Sequence, residues 1–188
     1  DTRFDRVYAI AQAAKQLPEV EQLANGANVF VAGSTWPPDE RLLLQLINAH
    51  PDVKFIIAPH EIESARIERM IAHIERPALR YTQLTPQSDL AGAGVLFIDT
   101  IGILSSVYRY GKWGYIGGGF GVGIHNTLEA ATFGLPLAFG PNYARFKEQW
   151  FSGLLTSEEA WKHSSAACAD YVQSHKGATE QIMSVIGN

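Results

Sequence analysis

The sequence has little of what several classes of protein depend on. One cysteine, Cys168, in 188 residues cannot form an internal disulfide, and this fits a reducing compartment. The 15 Lys and Arg are outnumbered by 19 Asp and Glu, and no basic stripe stands out. Nucleic acid is therefore not an expected partner. No apolar run approaches the roughly 20 residues of a membrane span, and no signal-peptide pattern is present.

Patterns for metal binding and for several kinds of catalysis are also missing. The six histidines and the one cysteine show neither HxxxH nor CxxC spacing, so no metal site is predicted. Without a GxSxG elbow, a hydrolase triad has no anchor. A DxD pair of carboxylates, often used by metal-dependent transferases of diphosphate sugars, is absent as well. If the protein is a sugar transferase, a metal-free mechanism is therefore expected.

The sequence does contain a regular alternation of helical and strand-like segments. The strand-like segments are continuously apolar, which is typical of a parallel sheet covered by helices on both faces. We therefore predict one doubly wound α/β domain over residues 1–188. The predicted strands are 28–33, 53–59, 94–99, 113–118 and 135–140; the predicted helices are 4–23 with a break at Pro18, 39–50, 61–74, 103–110, 126–133, and 146–188 with breaks near Gly153 and Gly177.

Glycine and polar residues follow the predicted strands. In doubly wound folds, ligands bind at the carboxyl ends of the strands, and these ends meet along one rim of the sheet. The residues on this rim are therefore the candidate ligand-binding residues. They are Gly33-Ser34-Thr35, Pro59-His60-Glu61, Asp99-Thr100-Ile101-Gly102, the loop 117–126 and Gly140-Pro141-Asn142.

The loop 117–126, GGGFGVGIHN, is the most distinctive part of this rim. Glycine tolerates positive φ and lets a ligand approach backbone N–H groups, so such a loop before a helix can bind a phosphate. Its spacing matches neither GxGxxG nor a P-loop. The alternative is a tight strand-to-helix turn that merely needs glycine, but from the loop alone ligand binding is favoured.

Glu129, one turn into the next predicted helix, has two interpretations. If Asn126 caps the helix, Glu129 is its third residue and bonds back to the cap, as in a capping box. Alternatively, Glu129 lies inside the rim and accepts two hydrogen bonds from a ribose diol. The residues alone leave these two interpretations equal.

The other rim residues each have an ordinary structural interpretation. Ser34 and Thr35, taken alone, favour an N-cap turn over an anion site. The segment 99–102 fits a tight turn. His60 fits a surface residue, and His125 fits a phosphate ligand, a general acid or a loop-packing residue, because one histidine by itself decides nothing.

Three segments, taken in order, resemble the 3-deoxy-D-manno-octulosonic acid (Kdo) transferases. They are GSTWPPDE, FIDTIGILSSVY and YIGGGFGVGIHNTLEAATFGLPLAFGPNYARFKE, and the similarity covers nearly the whole chain. Members of this family are inverting enzymes of lipopolysaccharide synthesis that use CMP-Kdo as donor. They have two Rossmann-like domains in the glycosyltransferase B arrangement. This sequence resembles the second of them, the donor-nucleotide domain.

The resemblance implies a C-terminal fragment that binds nucleotide but does not turn over alone, in keeping with a chain that begins without Met. In the family, the N-terminal domain carries the surface for the lipid A precursor, the membrane contact and a glutamate that acts as base. No catalytic residue, no metal and no cofactor beyond the donor substrate are therefore expected here. The parent protein is expected at the cytoplasmic face of the bacterial inner membrane, and the fragment is expected to be soluble.

The resemblance also implies which residues contact the donor. The first strand end would meet the phosphate or the Kdo carboxylate, the second would border the cytosine, and the third would wall the base through its backbone. The glycine loop and the following helix start would hold the phosphate, Glu129 would bind the ribose hydroxyls, and Asn142 would lie at the mouth. The full set is Ser34, Thr35, Pro59, His60, Thr100, Ile101, Gly102, Gly118, Gly119, Gly123, His125, Asn126, Glu129 and Asn142.

Three positions depart from the family's pattern. His60 stands where the family commonly has an arginine, Ile103 where it has a glutamate, and Ile124 where it has a glycine. The first departure leaves less fixed positive charge for an anionic donor, and Arg66 or Arg145 is a candidate to replace it. Two alternatives stay open: a UDP-sugar-dependent transferase or epimerase of the same architecture, and a non-catalytic nucleotide- or sugar-binding module.

Overall fold

The structure, a computed structural model, describes residues 1–119, 127–139, 157–180 and 183. The strands in this part of the chain are β1 Asn28–Thr35, β2 Val53–Pro59, β3 Ala78–Arg80, β4 Val95–Phe97, β5 Trp113–Ile116 and β6 Leu137–Phe139. The helices are α1 Thr2–Gln12, α2 Pro18–Ala24, α3 Pro37–Ala49, α4 Ser64–Ile71, α5 Leu104–Val107, α6 Leu128–Thr132 and α7 Glu158–His175, with 3-10 turns at Tyr81–Gln83 and Tyr108–Tyr110.

All six strands are parallel neighbours in one sheet, in the order β3-β4-β2-β1-β5-β6. β1 lies in the middle of the sheet and pairs with β2 along its whole length, from Asn28 opposite Val53 to Thr35 opposite Pro59. On its other side, Phe30 to Gly33 pair with Trp113 to Ile116 of β5. The predicted α/β class with a parallel sheet is confirmed.

The strands are continuously apolar because helices cover both faces of the sheet. Phe30 and Ala32 of β1 face one layer, where they pack with buried residues of α3 and α4. Val29 and Val31 face the other layer, which contains buried residues of α2 and α5. Adjacent residues of one strand are therefore both buried. A strand with one face in solvent would instead alternate apolar and polar residues.

The sequence predicts five strands, and the structure adds a sixth, β3, at the sheet edge. β3 is only three residues long, Ala78–Arg80, and all three are half-buried. It pairs on one side alone, with β4. A segment this short shows no periodicity, and it directly follows Pro77, so the sequence pattern gave no strand signal there.

Proline sets the starts of two helices. The break predicted at Pro18 separates α1 from α2, and Pro18 is the first residue of α2. α3 likewise begins at Pro37, two residues earlier than predicted. Proline suits the first helical turn because the N–H that it lacks has no partner there in any case.

The end of α7 is fixed to α1 by a carboxylate. Asp5 accepts hydrogen bonds from the backbone N–H groups of Gly177 and Thr179 and from the Thr179 hydroxyl. These bonds, those from Thr179 first, lower the pKa of Asp5 to about 2. The Phe4 ring stacks on His175 with 5.1 Å between ring centroids. α7 ends at His175, in keeping with the break predicted near Gly177.

In the described ranges, no helix combines the length and the apolar character that crossing a membrane requires. Parts of three predicted segments, 126–133, 135–140 and 146–188, lie outside the described residues, as does the break near Gly153.

Candidate functional site

The crevice between the carboxyl ends of β1 and β5 is the topological switch point of the sheet. From β1 the chain continues to β2 on one side, whereas β5 and β6 lie on the other side. The loops that follow β1 and β5 therefore separate and leave a crevice, the place where open α/β sheets bind ligands. The predicted residues Ser34 and Thr35, the last two of β1, form the β1 loop together with Gly33 and Trp36; Gly118 and Gly119 lie in the β5 loop, which begins at Gly117.

The β1 loop has an unusual backbone at Ser34. Its φ is 53°, and it is the one non-glycine residue with positive φ in the part of the chain that the structure describes. The pairing of β1 with β2 shifts register between Gly33 and Thr35, on either side of it. Strain of this kind costs roughly 1–3 kcal/mol and concentrates at functional sites, which supports a functional role for this loop.

Gly117 brings the β5 loop into direct contact with the β1 loop. Its N–H donates to the Gly33 carbonyl at 2.9 Å. A Cβ on Gly117 would lie 2.2 Å from the Ser34 carbonyl oxygen and 2.7 Å from the Thr35 Cα, both of them backbone atoms. Glycine at 117 is thus required by the contact between the two loops, whatever the loop binds.

The Asp39 side chain connects the same two loops through hydrogen bonds. The side chain is completely buried. One of its oxygens accepts the N–H groups of Trp36 at 2.8 Å and of Gly118 at 3.1 Å, and the other accepts the hydroxyl of Tyr115. The sequence analysis did not identify Asp39. Its position three residues after Trp36, at the start of a helix, is the signal that could have found it.

Thr35 and Glu40 form a second buried polar contact beside Asp39. Thr35 has no exposed surface, and its hydroxyl donates to Glu40 at 3.3 Å. Burial raises the pKa of Glu40, and the nearby Arg66 guanidinium, whose Nε lies 3.4 Å from the carboxylate, opposes that rise. Because its hydroxyl is buried and engaged, Thr35 has only its backbone to offer a ligand.

Arg66, one of the two candidates to replace the family arginine, is committed within the protein. Besides its ion pair with Glu40, it donates to the Glu61 carbonyl. Its side chain is only 12% exposed. These contacts oppose a role for Arg66 in neutralising a donor. Arg145 lies outside the described residues.

The second strand end is joined to the first by its backbone and by a ring contact. The N–H of His60 donates to the Thr35 carbonyl at 2.9 Å. The His60 ring stacks on Trp36, with 4.5 Å between centroids and 24° between planes. Pro59 is buried, whereas His60 is exposed at the rim. The structure therefore brings Pro59 and His60 beside the β1 loop.

The segment 99–102, which follows β4, is held in place by a buried carboxylate. Asp99 accepts the N–H of Thr82 at 2.8 Å, the Thr82 hydroxyl at 2.6 Å and the Nε of Arg80 at 2.8 Å. Burial alone would raise the pKa of Asp99, but the hydrogen bonds from Thr82 and Arg80 outweigh it and lower the pKa. These contacts fix the start of the segment 99–102.

The turn after Asp99 presents its backbone and one apolar side chain outward. Thr100 is half-buried, and Ile101 is 86% exposed. Gly102 has φ of 85°, and no atom lies within 4 Å of where its Cβ would be. An apolar side chain this exposed, next to a glycine with no neighbouring atoms, offers a surface against which a flat ligand such as a nucleobase can pack.

Glu129 lies near the crevice, but not at the helix position that the sequence predicts. α6 begins at Leu128 with Thr127 as its N-cap, so Glu129 is the second helical residue rather than the third. The capping-box interpretation with an Asn126 cap stays a prediction, because Asn126 lies outside the described residues. The Glu129 carboxylate is close enough to add to the rise in the pKa of Tyr108, which burial chiefly causes.

Tyr108 links Glu129 to the end of β1. A Cβ on Gly33 would lie 2.0 Å from the Tyr108 hydroxyl oxygen, so this hydroxyl rests against the β1 backbone. Tyr108 therefore lies beside the end of β1 and within electrostatic reach of Glu129. Four of the predicted site residues, Gly123, His125, Asn126 and Asn142, lie outside the described residues.

A groove of about 470 Å³ runs beside this rim, between α3 and α4. It contains the buried Glu40–Arg66 ion pair and has an apolar floor. Its lining residues are Pro37, Glu40, Arg41, Leu44, Glu63, Arg66, Arg69, Met70 and His73. In the ranges that the structure describes, no three His, Cys, Asp or Glu side chains come together as a metal would require.

Comparison with known proteins gives several relatives named as Kdo transferases and one named as a bifunctional glycosyltransferase/methyltransferase. No protein-family model matches the chain. The 3-deoxy-D-manno-octulosonic acid transferase of Aquifex aeolicus is 30% identical over 117 residues, which are 60% of this chain and 31% of the relative. That of Rickettsia prowazekii is 32% identical over 123 residues, 62% of this chain and 26% of the relative. The chain thus spans about a third or less of the curated relatives that it matches.

A solved structure has the same architecture. The crystal structure of the C-terminal CMP-Kdo binding domain of WaaA from Acinetobacter baumannii matches over 95% of both chains, with a TM-score of 0.56 and 20% identity. At this identity the likeness establishes the fold alone, a parallel α/β sheet with helices on both faces. The sequence itself is similar to Kdo transferases, and the resemblance predicted from it is confirmed.

Proposed function

We propose that the chain is the donor-binding domain of a Kdo transferase. In this proposal residues 1–188 form one domain that binds CMP-Kdo, and a second domain supplies the acceptor surface, the catalytic base and the membrane contact. The whole enzyme then adds Kdo to a lipid A precursor at the cytoplasmic face of the inner membrane. The observation that carries the proposal is a sequence similar to Kdo transferases, and it is supported by the position of Ser34, Thr35, Gly118 and Gly119 at the switch point of the sheet.

The proposed chemistry is an inverting transfer without metal. An acceptor hydroxyl attacks the anomeric carbon of Kdo, the bond to CMP breaks, and CMP leaves with the bonding electrons. The leaving group is a phosphate monoester, whose charge backbone N–H groups can stabilise. The proton of the acceptor hydroxyl passes to a base on the second domain. Loss of activity in chelator, with recovery on adding magnesium, would count against this account.

The described part of the rim supports particular contacts with the donor. Ser34 and the backbone of Thr35 face the crevice where the phosphate or the Kdo carboxylate would lie. The segment 99–102 offers the base its backbone and the exposed Ile101. Glu129 would accept hydrogen bonds from the ribose hydroxyls. The roles of Gly123, His125, Asn126 and Asn142 remain proposals from the resemblance alone.

Titration calorimetry of the chain with CMP, UMP and UDP tests the proposal. We expect CMP to bind more tightly than UMP and UDP, because the segment 99–102 after β4 would contact the cytosine. A preference for UDP would favour a UDP-sugar-dependent transferase or epimerase instead. The fragment is expected to bind CMP without turning over CMP-Kdo.

Glu129→Ala is expected to weaken CMP binding by roughly 10- to 150-fold, because a charge-assisted hydrogen bond contributes about 1.5–3 kcal/mol. The matched control is Glu159→Ala, which removes an exposed carboxylate from the first turn of α7, and it should leave the affinity unchanged. Equal affinities for wild type and Glu129→Ala would remove Glu129 from the ribose site.

A non-catalytic nucleotide-binding module is the second candidate. It is favoured by the state of Arg66, whose contacts with Glu40 and Glu61 leave the family arginine at position 60 without a replacement there. Joining the chain to the N-terminal half of its parent distinguishes the two. Turnover of CMP-Kdo by the joined protein supports the transferase, and binding without turnover supports the module.

A further inference from the structure

Asp39 is a buried acid that pairs with no cation in the described part of the chain. Its side chain has no exposed surface, and its three hydrogen-bond donors are Trp36, Gly118 and Tyr115, all of them neutral. A carboxyl group taken out of water is costly unless its oxygens are hydrogen-bonded. The three donors meet this requirement, so the position of Asp39 depends on theirs and theirs on Asp39.

Each of these three donors belongs to a different part of the crevice. Trp36 lies between β1 and α3, and its N–H fixes the exit of the β1 loop. Tyr115 belongs to β5. Gly118 is the second residue of the glycine loop 117–126. Its φ of 92° sets the direction in which that loop leaves the sheet. One side chain therefore fixes the distance and the angle between the two loops that flank the switch point.

The hydrogen bonds also show which N–H groups of the glycine loop are already used. The N–H of Gly117 donates to Gly33, and that of Gly118 donates to Asp39. Neither can donate to a phosphate while these bonds hold. Gly118 would then contribute its backbone conformation to the donor site, and not a hydrogen bond from its N–H group.

We propose that Asp39 is a positioning residue of the donor site. It holds the β1 loop and the start of the glycine loop at the spacing that the donor phosphate requires, and the N–H groups of Gly117 and Gly118 are not donors to that phosphate. This inference rests on the proposed function, because it takes the crevice to be the nucleotide site. The coupling of the two loops by Asp39 can nevertheless be measured without any ligand.

The test combines amide hydrogen exchange with CMP titration on three variants. Asp39→Ala removes both acceptor oxygens. Asp39→Asn keeps one oxygen for the N–H groups of Trp36 and Gly118 and turns its NH₂ toward the hydroxyl of Tyr115, which can accept. Val53→Ala is the control for lost stability, because Val53 is fully buried at the opposite end of the sheet.

In Asp39→Ala, the Trp36 and Gly118 amides are expected to exchange at least tenfold faster. The Phe55 amide, bonded to Gly94 at 2.9 Å within the sheet, should keep its protection. CMP affinity should fall at least tenfold in Asp39→Ala and stay within threefold of wild type in Asp39→Asn and Val53→Ala. Recovery in Asp39→Asn identifies acceptor geometry, rather than stability or charge, as the cause.

The outcomes separate this proposal from the proposed function. Unchanged exchange at Trp36 and Gly118 in Asp39→Ala overturns the coupling of the loops, whether or not CMP binds. Faster exchange with unchanged CMP affinity overturns the positioning role. A loss of affinity in Asp39→Asn as large as in Asp39→Ala overturns the acceptor geometry. If wild type does not bind CMP although exchange responds as expected, the coupling stands and the proposed donor binding by this chain fails.

Discussion

Replacing Gly117 by alanine is expected to lower the free energy of unfolding by about 3 kcal/mol, the upper part of the usual range for overpacking. The added Cβ would lie 2.2 Å from the Ser34 carbonyl oxygen and 2.7 Å from the Thr35 Cα. Backbone atoms cannot rotate away as a flexible side chain can, so the β1 and β5 loops must move apart. CMP affinity is expected to fall by about tenfold or more, because loops that move apart lose at least one charge-assisted hydrogen bond to the nucleotide, worth about 1.5–3 kcal/mol.

The control for this substitution is Gly26→Ala. Gly26 lies between α2 and β1 with φ of 68°, and no atom lies within 4 Å of where its Cβ would be. Alanine there costs about 1–2 kcal/mol through backbone strain alone, and CMP affinity should not change. Urea unfolding and calorimetry measure the two effects. A Gly117→Ala protein that is as stable as wild type and binds CMP equally well would show that the two loops are not in contact.

Asp99→Ala is expected to destabilise the fold by about 3 kcal/mol, because it leaves the Nε of Arg80 and both donors of Thr82 without their buried acceptor. The substitution takes the acceptor from the N–H and hydroxyl of Thr82 and from the Nε of Arg80. The segment 99–102 then loses its anchor, so CMP affinity should fall as well. The control is Glu68→Ala, which removes the exposed carboxylate that also contacts Arg80. Its cost should stay below about 1 kcal/mol.

The contribution of Asp99 should also depend on pH. Its pKa is lowered in the folded state, whereas the ordinary value is 3.8. A carboxyl group with a lowered folded-state pKa stabilises the fold fully above its unfolded-state pKa, and this stability is lost as pH falls through the folded-state pKa. The stability advantage of wild type over Asp99→Asn should therefore be constant near neutral pH and shrink below about pH 4. An advantage that grows on acidification would contradict the lowered pKa.

The central strands could be predicted from the sequence because their chemistry is local. The apolar runs of β1 and β2 end at Gly33-Ser34-Thr35 and Pro59, and the structure places both strands where the pattern predicts them. β3 could not be predicted because three residues carry no period and their pairing with β4 is a tertiary contact. α6 begins at Leu128, one residue later than a cap at Asn126 predicts, so Glu129 is its second residue rather than its third.

The candidate site was predictable in its outline and not in its internal contacts. Glycine and polar residues at strand ends point to a rim, and in the structure the ends of β1, β2 and β5 contact one another there. No local pattern shows that Asp39 reaches Tyr115 and Gly118, because these residues are 76 and 79 positions away in the sequence. Nor does any pattern show that Trp36 stacks on His60. Both contacts arise only when the sheet brings β1, β2 and β5 side by side.

The measurement that tests the central claim most directly is the location of bound CMP. Titrating the isotopically labelled chain with CMP and following its backbone amide resonances by NMR gives this location. The account predicts that the largest shifts fall on Ser34, Gly119, Glu129 and the segment 99–102. Shifts confined to the groove between α3 and α4, at Arg41, Arg69 and His73 among others, would contradict a donor site at the switch point between β1 and β5.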